Sequence, residues 1–457
     1  MALTFRGGTH VREYKNTRSV PIEQMQAPPT VSIAMSQHIG LHCKPVVAVG
    51  DHVYYGQVVG RVEGGLGCPV HASVSGTVKA IETRYNAMGV PVAHIVIEND
   101  EQYTPDPAIG PWPKPLEETT PDEIVGLLQE AGIAGLGGAT FPTHAKLRSA
   151  IGRVDTVIIN CAECEPFITA NHRVMLERPD EIIGGARVLL HALGLKEATI
   201  GVEDNKMDAI EVLRAHAGDD IRVVALKTKY PQGDERQLIY AVTGRELPAG
   251  KLPADLGCVI FNAETVATVY HAFYRGMPLV KRVVTVDGDC VAHPKNLLVH
   301  LGTSYRDLIN WCGGLVKDPA KIINGGPMMG FAQWDMDGPV TKGTSAILVL
   351  SQKFCDYGKS EQPATCLRCG RCVKNCPMHL MPNMLVQFAM HRRYADAEAY
   401  NVMSCVECGT CSYNCPGQMP IVQQIRVAKG AIRAEQAAAR ARAVEHGLDK
   451  KTEGSDK

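Results

Sequence analysis

No run of apolar residues in this 457-residue chain is long enough to cross a bilayer. The longest, such as Ala346–Leu350 and residues 156–159, are the length of strands. Net charge is nearly absent: 47 basic residues face 48 acidic ones, and no basic run interleaves with the sparse aromatics, which excludes a nucleic-acid surface. The N-terminus, Met-Ala-Leu-Thr-Phe-Arg-Gly-Gly, lacks the apolar core of a secretory signal. Without such a signal, the cysteines do not read as a disulfide framework; they fit a reducing compartment, where thiols serve metals. The length suggests about three domains. The apolar content of 45% is ordinary for a chain that buries real cores.

What the chain has in excess is cysteine, and half of its sixteen fall into two copies of one pattern. The first is Cys366-x2-Cys369-x2-Cys372-x3-Cys376-Pro377, the second Cys405-x2-Cys408-x2-Cys411-x3-Cys415-Pro416. Three closely spaced thiolates wrap three corners of a 4Fe–4S cubane, and the fourth, turned away at the proline, ligates the other cluster. Cluster one is therefore expected on Cys366, Cys369, Cys372 and Cys415, and cluster two on Cys376, Cys405, Cys408 and Cys411. A structural zinc site would use paired C-x2-C knuckles and has no use for a third cysteine three residues on. Such clusters move electrons. The other cysteines (Cys43, Cys68, Cys161, Cys164, Cys258, Cys290, Cys312 and Cys355) read mostly as small buried residues.

The order of patterns implies a multidomain chain of α/β and β parts. Residues 30–100 alternate apolar and polar positions between glycines, which predicts short strands in a small barrel or sandwich over 1–104. Val49-Gly-Asp-His-Val-Tyr-Tyr-Gly-Gln-Val-Val resembles half of a biotinyl/lipoyl carrier. The carrier lysine is missing, since Glu63-Gly-Gly-Leu-Gly-Cys68 stands in its place. A proline-rich linker follows, and Thr120-Pro-Asp-Glu123 opens a helix with an N-cap, a proline at the first position and a capping glutamate. Alternating strands (156–160, 198–201, 223–226) and helices make residues 116–280 an α/β domain. A small β-grasp domain is expected over 281–335 and a two-cluster ferredoxin-like domain over 355–420, with one helix at about 382–400. A solvated helical tail from Ile421, fraying after Gly447, completes the chain.

The α/β domain offers a partner for the clusters. Gly132-Ile-Ala-Gly135-Leu-Gly137-Gly138-Ala-Thr-Phe-Pro-Thr-His-Ala-Lys146 lets backbone N–H groups approach a phosphate or a flat ring, and the lysine adds positive charge. It is not the dinucleotide fingerprint, because a helix and not a strand precedes it. Asn160-Cys-Ala-Glu163-Cys-Glu165-Pro follows a strand, where α/β sheets carry ligand groups. Gln232-Gly-Asp-Glu235 and Asn262-Ala-Glu264-Thr265 repeat the theme. Any one of these acids could equally be a helix cap or a solvated loop residue.

The glycine-rich loop, the stretch from Asn160 and the stretch from Asn262 resemble the NADH- and FMN-binding flavoprotein subunit of respiratory complex I. Phe5-Arg-Gly-Gly, Ser36-Gln-His-Ile-Gly, Pro69-Val-His-Ala-Ser-Val-Ser-Gly, Lys229-Tyr-Pro-Gln-Gly and Gly325-Gly-Pro-Met-Met-Gly-Phe extend the likeness. With the double cysteine run, the chain from residue 4 to about 430 resembles the RnfC family, whose members belong to the Rnf complex, a membrane-bound ferredoxin:NAD⁺ oxidoreductase. The resemblance implies a barrel-sandwich hybrid, an α/β flavin and NADH domain, an SLBB-like β-grasp domain and a ferredoxin-like helical domain. It implies FMN and two 4Fe–4S clusters as cofactors and NAD(H) as substrate. Gly135, Gly137, Gly138, Lys146, Asn160, Glu163 and Asn262 would hold FMN, while Glu165 and Glu235 would act beside NADH. Phe261 and Ala162 depart from the complex I pattern. The expected partners are other subunits of the membrane complex, including a ferredoxin-like iron–sulfur subunit, and the expected place is the cytoplasmic side of the inner membrane. Two other readings stay open: a flavin and iron–sulfur cobalamin reductase, which would resemble the chain only from the glycine loop onward, and a non-catalytic electron wire, which would bind no flavin.

Overall fold

The computed structural model describes residues 2–355 and 364–445. They form two compact units, one from residues 2–5 with 10–355 and one from Arg6–Thr9 with 364–445. Among the described residues no helix is long and apolar enough to cross a membrane.

Within the first unit, valine and isoleucine alternate with polar residues along Thr30–Ala34, Gly76–Tyr85 and Pro91–Asn99, and the apolar set turns inward. These strands and His52–Val53 make a four-stranded sheet beside a three-stranded one of Lys44–Pro45, Val58–Arg61 and Val70–His71. Val31, Ile33, Val53, Val59, Val78 and Ile97 fill the space between them. The barrel does not take in the chain's start. Ile22–Gln24 pairs in parallel with Lys295–His300 of another sheet, and the segment before it lies along the α/β domain, where the Glu13 carbonyl accepts from Phe167 N–H.

The α/β domain is a four-stranded parallel sheet in the order Ile221–Leu226, Ala198–Glu203, Thr156–Asn160, Cys258–Asn262. Thr120 caps Pro121–Glu130 with the full capping box. Helices Pro179–Leu193 and Ala263–Arg275 cross at Gly185, where a Cβ would lie 2.0 Å from the Val266 carbonyl oxygen.

The β-grasp sheet is larger than residues 281–335. Its order is Ile22–Gln24, Lys295–His300, Lys281–Asp287, Ala346–Leu350, Lys321–Asn324, Phe331–Gln333. Ala346–Leu350 is buried along its whole length and pairs on both sides, so the sheet is incomplete without it. Helix Tyr305–Trp311, capped by Ser304, packs on the same core.

Three domains of this unit are pinned at one point. Lys342, with no exposed surface, donates to the carbonyls of Pro69 in the barrel at 2.9 Å and Gly132 in the α/β domain at 2.6 Å. Arg282 donates to the Lys342 carbonyl and pairs with buried Glu264 at 2.8 Å.

In the second unit the single helix expected at 382–400 is two, Pro382–Met390 and Tyr394–Ala399, separated where Arg392 takes a positive φ of 55°. Helix Ile421–Glu445 is not a free tail at its start. Ile421, Ile425, Ala428 and Ile432 recur on one face and are buried in the core of this unit, and Lys429 is only 5% exposed. Residues beyond Glu445, where fraying was expected, lie outside the described chain.

Replacing Gly185 with valine forces the two crossing helices apart. We expect a loss of about 1–3 kcal/mol, seen as a lower melting temperature of the first unit with cluster absorbance unchanged; an unaltered melt would refute the close crossing.

Candidate functional site

Strand register builds the first site. Asn160 and Asn262 end neighbouring parallel strands and are register partners, at the point where the connections turn from one direction along the sheet to the other. Ligands of open α/β sheets bind in the crevice at such a point. The glycine-rich loop closes over it. Leu136 N–H donates to Thr265 Oγ1 at 2.8 Å, its carbonyl accepts from Arg282 at 3.3 Å, and Ile39 N–H from the barrel holds the Thr140 carbonyl at 3.1 Å. Gly137 lies against Asn262, where a Cβ would come within 3.2 Å of that side chain; Gly138, with φ of 121°, faces open space, and Gly135 bonds back to the Phe141 carbonyl.

The side chains named from the sequence meet at this edge, in pairings that the sequence did not disclose. Lys146 forms an ion pair with Glu235 and donates to the Ile260 carbonyl at 2.8 Å. The lysine expected at a phosphate and the glutamate expected at NADH thus neutralise each other. Asn160 ties two loops together, donating to the Gly233 carbonyl at 2.8 Å and accepting from Ala162 N–H. Asn262 caps its helix through Oδ1.

Glu163 is buried, and its oxygens accept from Asn171 and His172 N–H, at 2.8 and 3.3 Å. It therefore caps the start of helix Ala170–Glu177. Glu264 is likewise committed to Arg282 and to Val283 N–H.

Glu165 is different. Its carboxylate accepts from the N–H groups of Met328 and Met329, at 3.1 and 2.9 Å, in the turn of the β-grasp domain. Gly326 leaves room for it, since a Cβ there would stand 2.2 Å from Glu165 Oε2. Burial pushes this carboxyl up to about 7, against the opposing pull of the two N–H groups and Lys15.

Two residues escaped the sequence reading. Lys15 donates to the carbonyls of Glu163, Glu165 and Ile168, at 2.8, 2.8 and 2.5 Å, and so shapes the loop that carries Glu165. Burial lowers its pKa. Only the topology brings residue 15 there, so no local signal pointed to it. Gln232 is fully buried, and neither amide atom has a hydrogen-bond partner among the described residues. Unpaired buried amides are costly, so this one, next to Gly233 and Glu235, fits a ligand that supplies both a donor and an acceptor. Its place in the Lys229-Tyr-Pro-Gln-Gly motif was the available signal.

The second site is a pair of cavities in the cluster unit. One is lined by Cys366, Cys369 and Cys372 together with Cys415. The other is lined by Cys405, Cys408 and Cys411 together with Cys376. Each draws three thiols from one run and the fourth from the other. The remaining linings are mainly apolar, among them Val386, Leu385 and Ile425. A four-thiol donor set in an apolar shell fits an iron–sulfur cubane.

Known proteins agree with this layout. Residues 3–102 match the RnfC barrel sandwich hybrid domain, 128–271 the Nuo51 FMN-binding domain, 283–332 the SLBB domain and 359–416 a 4Fe-4S dicluster domain. The C subunit of the Na(+)-translocating ferredoxin:NAD(+) oxidoreductase complex of Acetobacterium woodii is 45% identical over 436 residues, 94% of this chain and 98% of that one. The chain belongs to the RnfC family. The C subunit of the proton-translocating ferredoxin:NAD(+) oxidoreductase complex of Clostridium ljungdahlii is 44% identical over 95% of both chains. Its counterpart in the ion-translocating oxidoreductase complex of Rhodobacter capsulatus is 39% identical over 94% of this chain and 83% of its own. A chain of an NAD+-reducing [NiFe]-hydrogenase in the H2-reduced state shares the fold with a TM-score of 0.50 at 16% identity, covering 74% of this chain and 68% of that one. This chain thus carries both an FMN-binding domain and a 4Fe-4S dicluster domain.

Glu165 makes a pH prediction. Its folded pKa lies above the ordinary 4.5, so the folded chain holds the proton more tightly than the unfolded one. The stabilisation is full below pH 4.5 and is lost as pH rises through about 7. Glu165→Gln cannot ionise. Its melting temperature relative to the parent should therefore rise across that window, measured by thermal unfolding on either side of it, and a constant difference would contradict the assignment.

Proposed function

We propose that this chain is the peripheral electron-transfer subunit of an Rnf-type complex, exchanging hydride between NAD(H) and FMN and passing electrons singly through two 4Fe–4S clusters. The observation that carries the reading is the crossed cysteine lining of the two cavities, in the same chain as a flavin-type crevice at the sheet's carboxyl edge. Bound FMN supplies the conversion between a two-electron hydride and single electrons, and the clusters supply one-electron relay.

The residues divide the work. Gly135, Gly137 and Gly138 let the loop backbone lie close to the flavin. Lys146 would exchange Glu235 for the flavin phosphate, freeing Glu235 towards the nucleotide. Gln232 would offer its unpaired amide to a ring edge or a carboxamide. Glu165, with its carboxyl near neutrality, holds or yields a proton at the crevice while the Met328 and Met329 N–H groups keep it oriented. Asn160, Asn262, Glu163 and Lys15 keep the loops in place. The crossed linings support cluster one on Cys366, Cys369, Cys372 and Cys415, and cluster two on Cys405, Cys408, Cys411 and Cys376.

The partners would be the other subunits of the complex, a ferredoxin-like iron–sulfur subunit among them, with the chain seated on the cytoplasmic face of the membrane. Ion movement would belong to those partners, since no helix among the described residues can span a bilayer. Two relatives of nearly equal identity are named for different ions, so likeness to them does not select Na⁺ or H⁺. Against a cobalamin reductase stands the match of residues 3–102 to the RnfC barrel.

Anaerobic addition of NADH to the isolated, reconstituted chain should bleach flavin absorbance and then cluster absorbance. Flavin that stays oxidised would refute the NADH assignment, and a chain without flavin would favour the wire. A second prediction concerns ligation: Cys376→Ser should perturb the paramagnetic resonance of the cluster on the second run and spare that on the first. Loss of the first-run signal alone would mean that each run ligates its own cubane.

A further inference from the structure

The two cysteine runs are copies in backbone but not in surroundings. Arg368 and Glu407 hold the same place, one residue before the second cysteine, with φ of 53° and 55°; Gly370 and Gly409 follow at 71° and 81°. Short helices Arg371–Lys374 and Thr410–Tyr413 come next in each. The second loop is shut in. Cys408 and Cys411 are each 7% exposed and Thr410 is fully buried. Its one charge, Glu407, is answered by Arg426 at 3.1 Å and Lys429 at 2.5 Å from helix Ile421–Glu445.

The first loop faces solvent. Arg368, Cys369, Gly370, Arg371 and Lys374 are exposed, and Leu367 is 62% exposed. It carries three positive charges and no acid between Cys366 and Cys376, and no ion pair answers those charges among the described residues. An exposed leucine ringed by like charges has the make-up of a small, transient redox interface, with an apolar centre and a charged rim.

We propose that the Cys366–Cys372 loop is the port through which this subunit exchanges electrons with a protein carrier whose docking face is acidic. The inference rests on the proposed function and adds the site and chemistry of its partner. Electron tunnelling falls steeply with distance, so a carrier must reach the centre whose ligand loop is at the surface. Opposite charge steers it there and sets its orientation, with a rate that salt suppresses. Each encounter moves one electron between the carrier and this loop's centre, with no bond made or broken. Two encounters balance the two electrons of one NADH, whose hydride passes to the flavin and leaves one proton there once both electrons have moved on.

The test uses the full-length chain reconstituted with both clusters and flavin, and a dithionite-reduced acidic ferredoxin as electron donor in stopped flow. For the parent chain the rate should fall about tenfold from low to high ionic strength. The triple variant R368E/R371E/K374E should be slower by a similar factor at low salt and lose the salt dependence. Its flavin bleaching by NADH should match the parent. Should that variant fail to assemble its first cluster, Leu367→Glu, which adds one negative charge at the centre of the patch, must slow the same reaction. A parent rate indifferent to salt, or variants with intact clusters and parental rates, would overturn the proposal. So would charge-reversed protein that loses binding to phosphatidylglycerol vesicles while its rate with ferredoxin is unchanged, because the patch would then be a lipid contact. Absence of NADH-driven bleaching in the parent would instead bring down the proposed function, and this inference with it.

Discussion

Buried lysine ammonium groups bonded to backbone carbonyls hold this molecule's flavin-type site in shape. Lys342 gathers carbonyls from the barrel and from the start of the glycine-rich loop, and Lys15 gathers three from the loop that bears Glu165. Taking an ammonium out of water is costly unless its donors are satisfied. A loop whose carbonyls point inward faces the same cost from the opposite side. Each need meets the other, and the result is a fixed loop rather than a mobile one. Everything at the crevice, from the seat of Gly137 against Asn262 to the cage around Glu165, depends on those two fixed loops.

The same logic explains why three domains share one site. The glycine-rich loop belongs to the α/β domain, yet Ile39 of the barrel and Arg282 of the β-grasp domain each hold one of its carbonyls. The Met328–Met329 turn provides the N–H groups for Glu165. The barrel and the β-grasp domain are therefore parts of the flavin site's scaffold. A carboxyl raised to about 7 needs both burial and a rigid pair of donors, and here those come from different domains.

The cluster unit separates geometry from environment. Equal spacing in the two runs yields nearly equal backbone, down to the positive φ angles at matching positions, including His379 and Gln418 at 54° and 52°. Equal spacing does not yield equal surroundings. Arg426 and Lys429 of helix Ile421–Glu445 pair with Glu407 of the second loop, and Lys429 also donates to the Cys405 carbonyl at 2.7 Å. Segment Arg6–Thr9, from the far end of the chain, joins the unit where Gly8 N–H meets the Asn375 carbonyl and Thr9 meets Asn414, next to the two crossing cysteines.

The sequence by itself determined what depends on near neighbours along the chain. The cysteine spacing dictated four-thiol sets with a crossing fourth member, Thr120 and Glu123 dictated a capped helix, and strand-length apolar runs ruled out a span. These features close within a turn or two, so local chemistry is enough to specify them. Tertiary structure decided which of the polar residues are free to act. Glu163 and Glu165 sit two residues apart in one motif, yet the first accepts from the start of helix Ala170–Glu177 and the second from the N–H groups of the β-grasp turn. Lys146 and Glu235 became a pair, Gln232 was left unpaired, and Lys15 reached loops some 150 residues away. Such contacts depend on strand order and on the register that sets Asn160 beside Asn262, which the spacing of residues in one motif does not encode.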